Sequence, residues 1–178
     1  MRVLPVFVSF LVLCVPTVAH SQSVVVQGSA GPTLVNGGYS LAVGAGWRPW
    51  SRVTLSVNVE RTHLSSRERS DGRGGRAGFR GGTLTLGAAE LSVALFARDR
   101  VTPYVLAGYA AGVSRPNVNR MFPVRVTNDV QAVFGGAGIH VPLRPQISLF
   151  ADARLMLGEE ANELLAVAPL RIGLSWRF

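Results

Sequence analysis

The sequence predicts an all-β protein, a closed antiparallel eight-stranded transmembrane β-barrel, on three observations. From residue 22 onward, apolar residues alternate with small or polar ones at period two, which puts successive side chains on opposite faces of a strand. Of the 178 residues 48% are hydrophobic and 16% charged, whereas typical soluble domains carry about 25% charged residues. A chain this apolar does not stay disordered, yet beyond residue 20 it holds no apolar run of the roughly 18 residues a membrane-crossing helix needs. The other structure that satisfies every backbone group in lipid is a closed barrel. The third observation is that short and long connections alternate along the chain, as they do when turns gather at one rim and loops at the other. A soluble β-sandwich also alternates, but it would carry more charge and would not keep aromatics at strand ends.

Residues 1–21 read as an export signal that is cleaved, leaving 22–178 as the barrel domain. Arg2 gives a short basic start and 3–15 form a mostly apolar stretch. Small residues then allow cleavage after Ala19 or after Ser21. A retained anchor would be short and would contain Pro5. Leu11-Val12-Leu13-Cys14 superficially resembles a lipoprotein box, but such boxes need a small residue where Leu13 stands. Cys14 is the single cysteine and leaves with the signal, so the mature chain has no disulfide and no thiol chemistry.

Eight strand segments follow, at 23–31, 37–47, 52–62, 81–96, 102–113, 128–141, 146–157 and 166–178. Most have 9 to 14 residues, close to the roughly 9–11 that cross a bilayer at a tilt. The first segment alternates least clearly. In the second, Tyr39, Leu41, Val43, Ala45 and Trp47 oppose Ser40, Ala42, Gly44 and Gly46. In the third, Val53, Leu55, Val57 and Val59 oppose Arg52, Thr54, Ser56, Asn58 and Glu60. The fourth changes phase near Ala88 and Ala89, which predicts a bulge. In the seventh, Ile147, Leu149, Ala151, Ala153, Leu155 and Leu157 oppose Ser148, Phe150, Asp152, Arg154 and Met156. The eighth sets Leu170, Ile172, Leu174, Trp176 and Phe178 against Arg171, Gly173, Ser175 and Arg177. Short turns are expected at 48–51, 97–101 and 142–145, long loops at 63–80 and 114–127, and a shorter loop at 158–165. Tyr39, Trp47, Trp50, Tyr104, Trp176 and Phe178 stand near the expected rims, as aromatic girdles do.

Three stretches carry a resemblance to a known family: Thr102-Pro103-Tyr104-Val105-Leu106-Ala107-Gly108-Tyr109-Ala110-Ala111-Gly112-Val113, Gly135-Gly136-Ala137-Gly138-Ile139, and Leu170-Arg171-Ile172-Gly173-Leu174-Ser175-Trp176-Arg177-Phe178. They resemble the small eight-stranded outer-membrane β-barrels of Gram-negative bacteria, the OmpA/OmpX-like class. The resemblance spans 22–178 and implies a place in the outer membrane with both termini in the periplasm. It also implies that Trp176 and Phe178, closing an alternating strand, are read by the barrel-assembly machinery during insertion. With the chain ending at Phe178, it does not extend to the peptidoglycan-binding domain of full OmpA proteins.

The inward faces hold an unexpected set of charges. Glu60 lies eight residues above Arg52, Glu90 six before Phe96, Asp152 and Arg154 six and eight after Gln146, and Arg171 seven before Phe178. Glu60, Glu90, Asp152, Arg154 and Arg171 are therefore expected at one height near mid-membrane. The lumen of an eight-stranded barrel is filled by its own side chains, and buried charges persist there only when paired. A structural plug of ion pairs is the first expectation. The alternative is a gate that rearranges to pass ions.

Arg67, Arg69, Arg73, Arg76 and Arg80 stand in the glycine-rich stretch 63–80 with only Glu68 and Asp71 against them. Guanidinium groups suit phosphate recognition, and the outer leaflet carries lipopolysaccharide phosphates. The plainer expectation is a flexible solvated loop. The stretch also resembles RNA-binding arginine–glycine tracts, but an exported chain rarely meets RNA, so no nucleic-acid partner is expected. His63-Leu64-Ser65 resembles the His-x-Ser pair of PagL-type lipid A deacylases, although it falls early in the chain and no acid follows at a comparable offset. His63, His140 and (if retained) His20 form no ligand cluster, and no phosphate loop or dinucleotide fingerprint is present. The sequence thus points away from an enzyme, with no catalytic residue, metal or cofactor. It points to a monomeric outer-membrane barrel with a structural or surface-interaction role, touching outer-membrane lipid and lipopolysaccharide. A narrow passive pore is the alternative, and a lipid A-modifying enzyme the third reading.

Overall fold

Every backbone N–H and C=O of a lipid-exposed strand needs a partner on each side, and the chain meets this demand by closing its sheet on itself. The computed structural model describes residues 23–35, 37–65, 67–70, 76–79, 81–96, 101–118, 124–161 and 163–178. The expected export signal lies outside them. Eleven strands follow in order: β1 (Ser23–Pro32), β2 (Gly38–Trp50), β3 (Val53–Leu64), β4 (Arg67–Ser70), β5 (Arg76–Phe79), β6 (Gly82–Ala94), β7 (Thr102–Pro116), β8 (Asn128–Pro142), β9 (Ile147–Glu160), β10 (Glu163–Val167) and β11 (Leu170–Arg177). The sheet runs β11-β1-β2-β3-β6-β7-β8-β9, and β9 pairs back onto β10 and β11, so the barrel is closed. All pairings are antiparallel. Strands β10 and β11 are one stave: both keep the same register on β9, and the interruption falls at Pro169, which has no N–H to give the ladder. The Pro169 carbonyl still accepts from the Arg154 N–H at 3.1 Å. Among the described residues there is no helix long and apolar enough to cross a membrane.

The alternation of burial follows the pleat. Leu41, Val43, Val57, Val59, Val105, Val133, Ile172 and Leu174 are exposed on the outer wall. So much exposed aliphatic surface would aggregate in water and suits a hydrocarbon surround. Trp50, Trp176 and Phe178 ring the end where the turns are short, and Tyr39 stands near the end where the loops are long.

Five details differ from the sequence reading. No bulge occurs at Ala88 and Ala89, since β6 keeps one register on β3 from Val53↔Val93 to Leu64↔Gly82. The apparent phase change arises because Leu84 and Leu86 point into the lumen, where they are almost completely buried. The irregularity sits instead between Trp47 and Trp50, so β2 runs through the expected turn at 48–51 and the chain reverses at Ser51 and Arg52. Tyr104 does not belong to the girdle: its parity on β7 is that of Leu106 and Ala110, which places it 5% exposed inside the barrel. Within the expected loop 63–80, β4 and β5 form an antiparallel ribbon from Arg67↔Phe79 to Ser70↔Arg76. The expected loop at 158–165 is mostly strand, with β10 pairing to β9 as far as Glu163↔Glu160. Ala161 takes a left-handed turn conformation there, at φ 49°.

Candidate functional site in the barrel lumen

The lumen divides into three storeys. Its long-loop half is mostly apolar, with Leu64, Leu84, Leu86, Val130, Met156 and Val167 in one buried cluster beside the buried hydroxyls of Ser40, Thr62 and Ser114. Its short-turn half is a polar cavity of about 480 Å³. Between them lies a layer of charge.

Glu60 comes from β3, Glu90 from β6, Asp152 and Arg154 from β9, and Arg171 from β11. Each has the inward parity of its strand, and the structure brings all five together. Arg154 Nη1 lies 2.6 Å from Glu90 Oε2, and Arg154 Nε lies 2.9 Å from Asp152 Oδ1. Arg171 reaches Asp152 Oδ2 through Nη2 at 3.0 Å and Glu60 Oε2 through Nη1 at 3.5 Å. All five side chains are buried, so these contacts replace hydration instead of adding to it. Asp152 is the hub, since both guanidiniums donate to it.

Neutral groups complete the layer. Tyr104 Oη donates to Asp152 Oδ2 at 3.1 Å, and Thr62 Oγ1 donates to Glu60 Oε1 at 3.2 Å. The Arg154 guanidinium also sits 5.3 Å from the centre of the Phe134 ring. Space for these side chains comes from inward glycines. A Cβ on Gly138 would come within 2.7 Å of both Tyr104 Cζ and Asp152 Cβ, and one on Gly108 within 2.4 Å of Phe134 Cζ. Tyr104 was not a sequence candidate for this layer. The sequence carries no clear signal for it, because both faces of β7 are apolar. His140 lines the cavity, its ring 4.6 Å from that of Tyr104.

The remaining candidates lie elsewhere. Arg67, Arg69 and Arg76 belong to the β4–β5 ribbon at the long-loop end, and Arg73 and Arg80 lie outside the described residues. Trp176 and Phe178 stack at 5.9 Å and 9° on the outer wall at the short-turn end. His63 packs on the outside against Tyr39 at 5.4 Å, and Ser65 is exposed beyond the end of β3. Among the described residues no group of three His, Cys, Asp or Glu side chains is arranged to hold a metal ion.

Comparison with solved structures places this architecture. The N-terminal β-barrel domain of Pseudomonas aeruginosa OprF superposes with a TM-score of 0.64 at 16% identity, covering 88% of this chain and 97% of that one. Neisserial surface protein A gives 0.66 at 15%, covering 88% and 97%. The fold is that of the small eight-stranded outer-membrane β-barrels. Ail, the attachment invasion locus protein of Yersinia pestis, solved in complex with the heparin analogue sucrose octasulfate, has the same fold with a TM-score of 0.53 at 15% identity, covering 88% and 98%. No family model matches the chain, and no curated protein matches it in sequence. At these identities the likeness carries the outer-membrane barrel architecture and no residue-level role.

Proposed function

We propose that the protein is a non-enzymatic, integral outer-membrane barrel with a structural or surface-interaction role, inserted as a monomer after export. The observation that carries this reading is the filled lumen. Buried apolar side chains lie next to a layer of buried ion pairs, as expected of a small barrel whose interior is occupied by its own side chains. A barrel filled in this way serves as a rigid frame for what it displays. In this reading the short turns face the periplasm, and the β4–β5 ribbon with the other long connections faces outward. There Arg67, Arg69, Arg73, Arg76 and Arg80 can meet lipopolysaccharide phosphates or a surface partner. That Ail, of the same fold, was solved in complex with the heparin analogue sucrose octasulfate supports a surface-interaction role.

The test is electrical. Barrel refolded in detergent and added to a planar bilayer gives no steady conductance steps. Reproducible steps that vanish in a denatured control would overturn the closed frame in favour of the narrow pore. One observation favours that second reading: Asp152 is shared by Arg154 and Arg171, so a change of partner could open the layer without unpairing either guanidinium.

A further inference from the structure

The cavity in the short-turn half of the lumen is lined by four arginines and two acids. The acids, Glu90 and Asp152, form its inner end and are already engaged with Arg154 and Arg171 at 2.6 to 3.0 Å. Arg48, Arg52 and Arg177 at the mouth have no acid within ion-pair distance among the described residues. Two of them are neighbours by construction. Val25 on β1 pairs with Gly46 on one side and with Arg177 on the other, and Arg48 is the next inward residue after Gly46. Arg48 and Arg177 therefore flank one strand at nearly one height, close enough for their charges to repel. Arg48 Nε donates to Thr54 Oγ1 at 3.3 Å, which fixes one edge of a guanidinium on the cavity wall.

Among the described residues this group of cations lacks a counter-charge, and its chemistry says which one fits. Guanidinium forks bind oxyanions through paired N–H donors. A tetrahedral phosphate can take two forks and further hydroxyl donors at once, whereas a carboxylate has only two oxygens. The wall beside the arginines supplies hydroxyls and amides, including Ser56, Ser148 and Gln146. The volume, about 480 Å³, falls in the range of roughly 300–1,000 Å³ typical of small-molecule pockets and far exceeds one phosphate. We propose that this mouth is a binding site for a soluble organic phosphate. Its phosphate lies between Arg48 and Arg177 with Arg52 beside them, and its hydroxylated body lies along the serine-lined wall.

The test uses the full barrel refolded in a neutral detergent and does not depend on the membrane orientation or on whether the lumen conducts. Calorimetric titration at low ionic strength compares glucose 6-phosphate, inorganic phosphate and glucose. Glucose 6-phosphate binds, inorganic phosphate binds more weakly, and glucose gives no heat. Arg48→Gln and Arg177→Gln each weaken the glucose 6-phosphate affinity by about tenfold or more, as loss of a charge-assisted fork should. Arg144→Gln, on an exposed turn at the same end but off the cavity wall, leaves affinity unchanged. Unaltered urea midpoints in the two mouth variants keep the comparison free of folding defects, and either variant alone suffices. No heat with glucose 6-phosphate up to about 10 mM, equal binding by glucose, or equal weakening by Arg144→Gln would each overturn the site. Inorganic phosphate binding as tightly as the sugar phosphate would overturn the part assigned to the hydroxylated wall.

Discussion

Arg171 sits directly opposite Asp152 in the β9–β11 ladder, and its Nε and Nη2 both donate to that carboxylate, at 3.1 and 3.0 Å. The backbone register thus aligns the two partners before either side chain chooses a rotamer. Removing the guanidinium would leave Glu60 without its cation and Asp152 with only Arg154. Arg171→Met should therefore cost about 3–5 kcal/mol, the usual penalty for leaving a buried charge unpaired. Arg144→Met on an exposed turn should stay within about 0.5 kcal/mol of the parent. Urea midpoints of the refolded barrels make the comparison, and equal midpoints would mean that water reaches the charge layer.

Tyr104 contributes the neutral side of the same site. Its hydroxyl donates to Asp152 Oδ2 at 3.1 Å in a buried setting. Tyr104→Phe keeps the ring and deletes that bond, so its expected cost is about 1.5–3 kcal/mol, as for hydrogen bonds to charged groups. A urea midpoint equal to that of the parent would show Asp152 fully satisfied by its two arginines.

What could be read from the sequence depended on contrast between the two faces of each strand. In β11 the outward Leu170, Ile172, Leu174 and Trp176 stand against Arg171, Gly173 and Ser175, so the phase was unambiguous. The charged residues on such strands could be placed at one height, because an inward parity and a known end leave a luminal side chain nowhere else to go. Which carboxylate each arginine takes is set by register across the barrel, and spacing along one strand does not contain it. In β7 the contrast fails, because Tyr104, Leu106 and Ala110 face inward while Val105, Ala107 and Tyr109 face outward, all apolar enough for either side. That ambiguity sent Tyr104 to the girdle. The same cause produced the false bulge in β6, whose inward Leu84 and Leu86 look like lipid-facing residues until the apolar storey of the lumen is seen. The β4–β5 ribbon escaped because two four-residue strands, Arg-Glu-Arg-Ser and Arg-Ala-Gly-Phe, are too short to carry a readable alternation.

Two glycines on β8 provide a matched test of luminal packing. At Gly138 a methyl group would meet Ala151 O at 2.5 Å and both Tyr104 Cζ and Asp152 Cβ at 2.7 Å. Gly135 is exposed on the outer wall, and its nearest neighbour would be 3.8 Å away. Gly138→Ala should destabilise by about 1–3 kcal/mol through overpacking, whereas Gly135→Ala should be neutral or slightly stabilising, because alanine is less costly to order by about 0.5–1 kcal/mol. Equal midpoints for the two variants would deny that the charge layer is tightly packed.

Under the proposed orientation the region of Arg67, Arg69, Arg73, Arg76 and Arg80 is presented outside the cell. Trypsin added to intact cells should cut there, because exposed loop tips are preferred sites of nicking. The β4–β5 pairing should slow cleavage within 67–70 and 76–79. Cutting that requires the outer membrane to be opened first would invert the barrel.

Phe178 separates two ways in which one residue can matter. It continues the outward series of β11, its N–H donates to the Val24 carbonyl at 2.9 Å, and its ring stacks on Trp176. With Phe178 72% exposed to the surroundings of the barrel, its contribution to the folded state is bounded by the roughly 1.5–3 kcal/mol that full burial of a phenylalanine provides. If Trp176 and Phe178 are read by assembly machinery, Phe178→Ala acts mainly on the route into the membrane. The expected result is a strongly reduced folded fraction in outer-membrane extracts, beside only a small drop in the urea midpoint of barrel refolded in detergent. The Val24 bond involves only backbone and survives the substitution, so a large drop in midpoint could not be blamed on fraying of that pair. Normal insertion together with a large loss of midpoint would reduce Phe178 to an ordinary girdle residue whose stacking on Trp176 accounts for its effect.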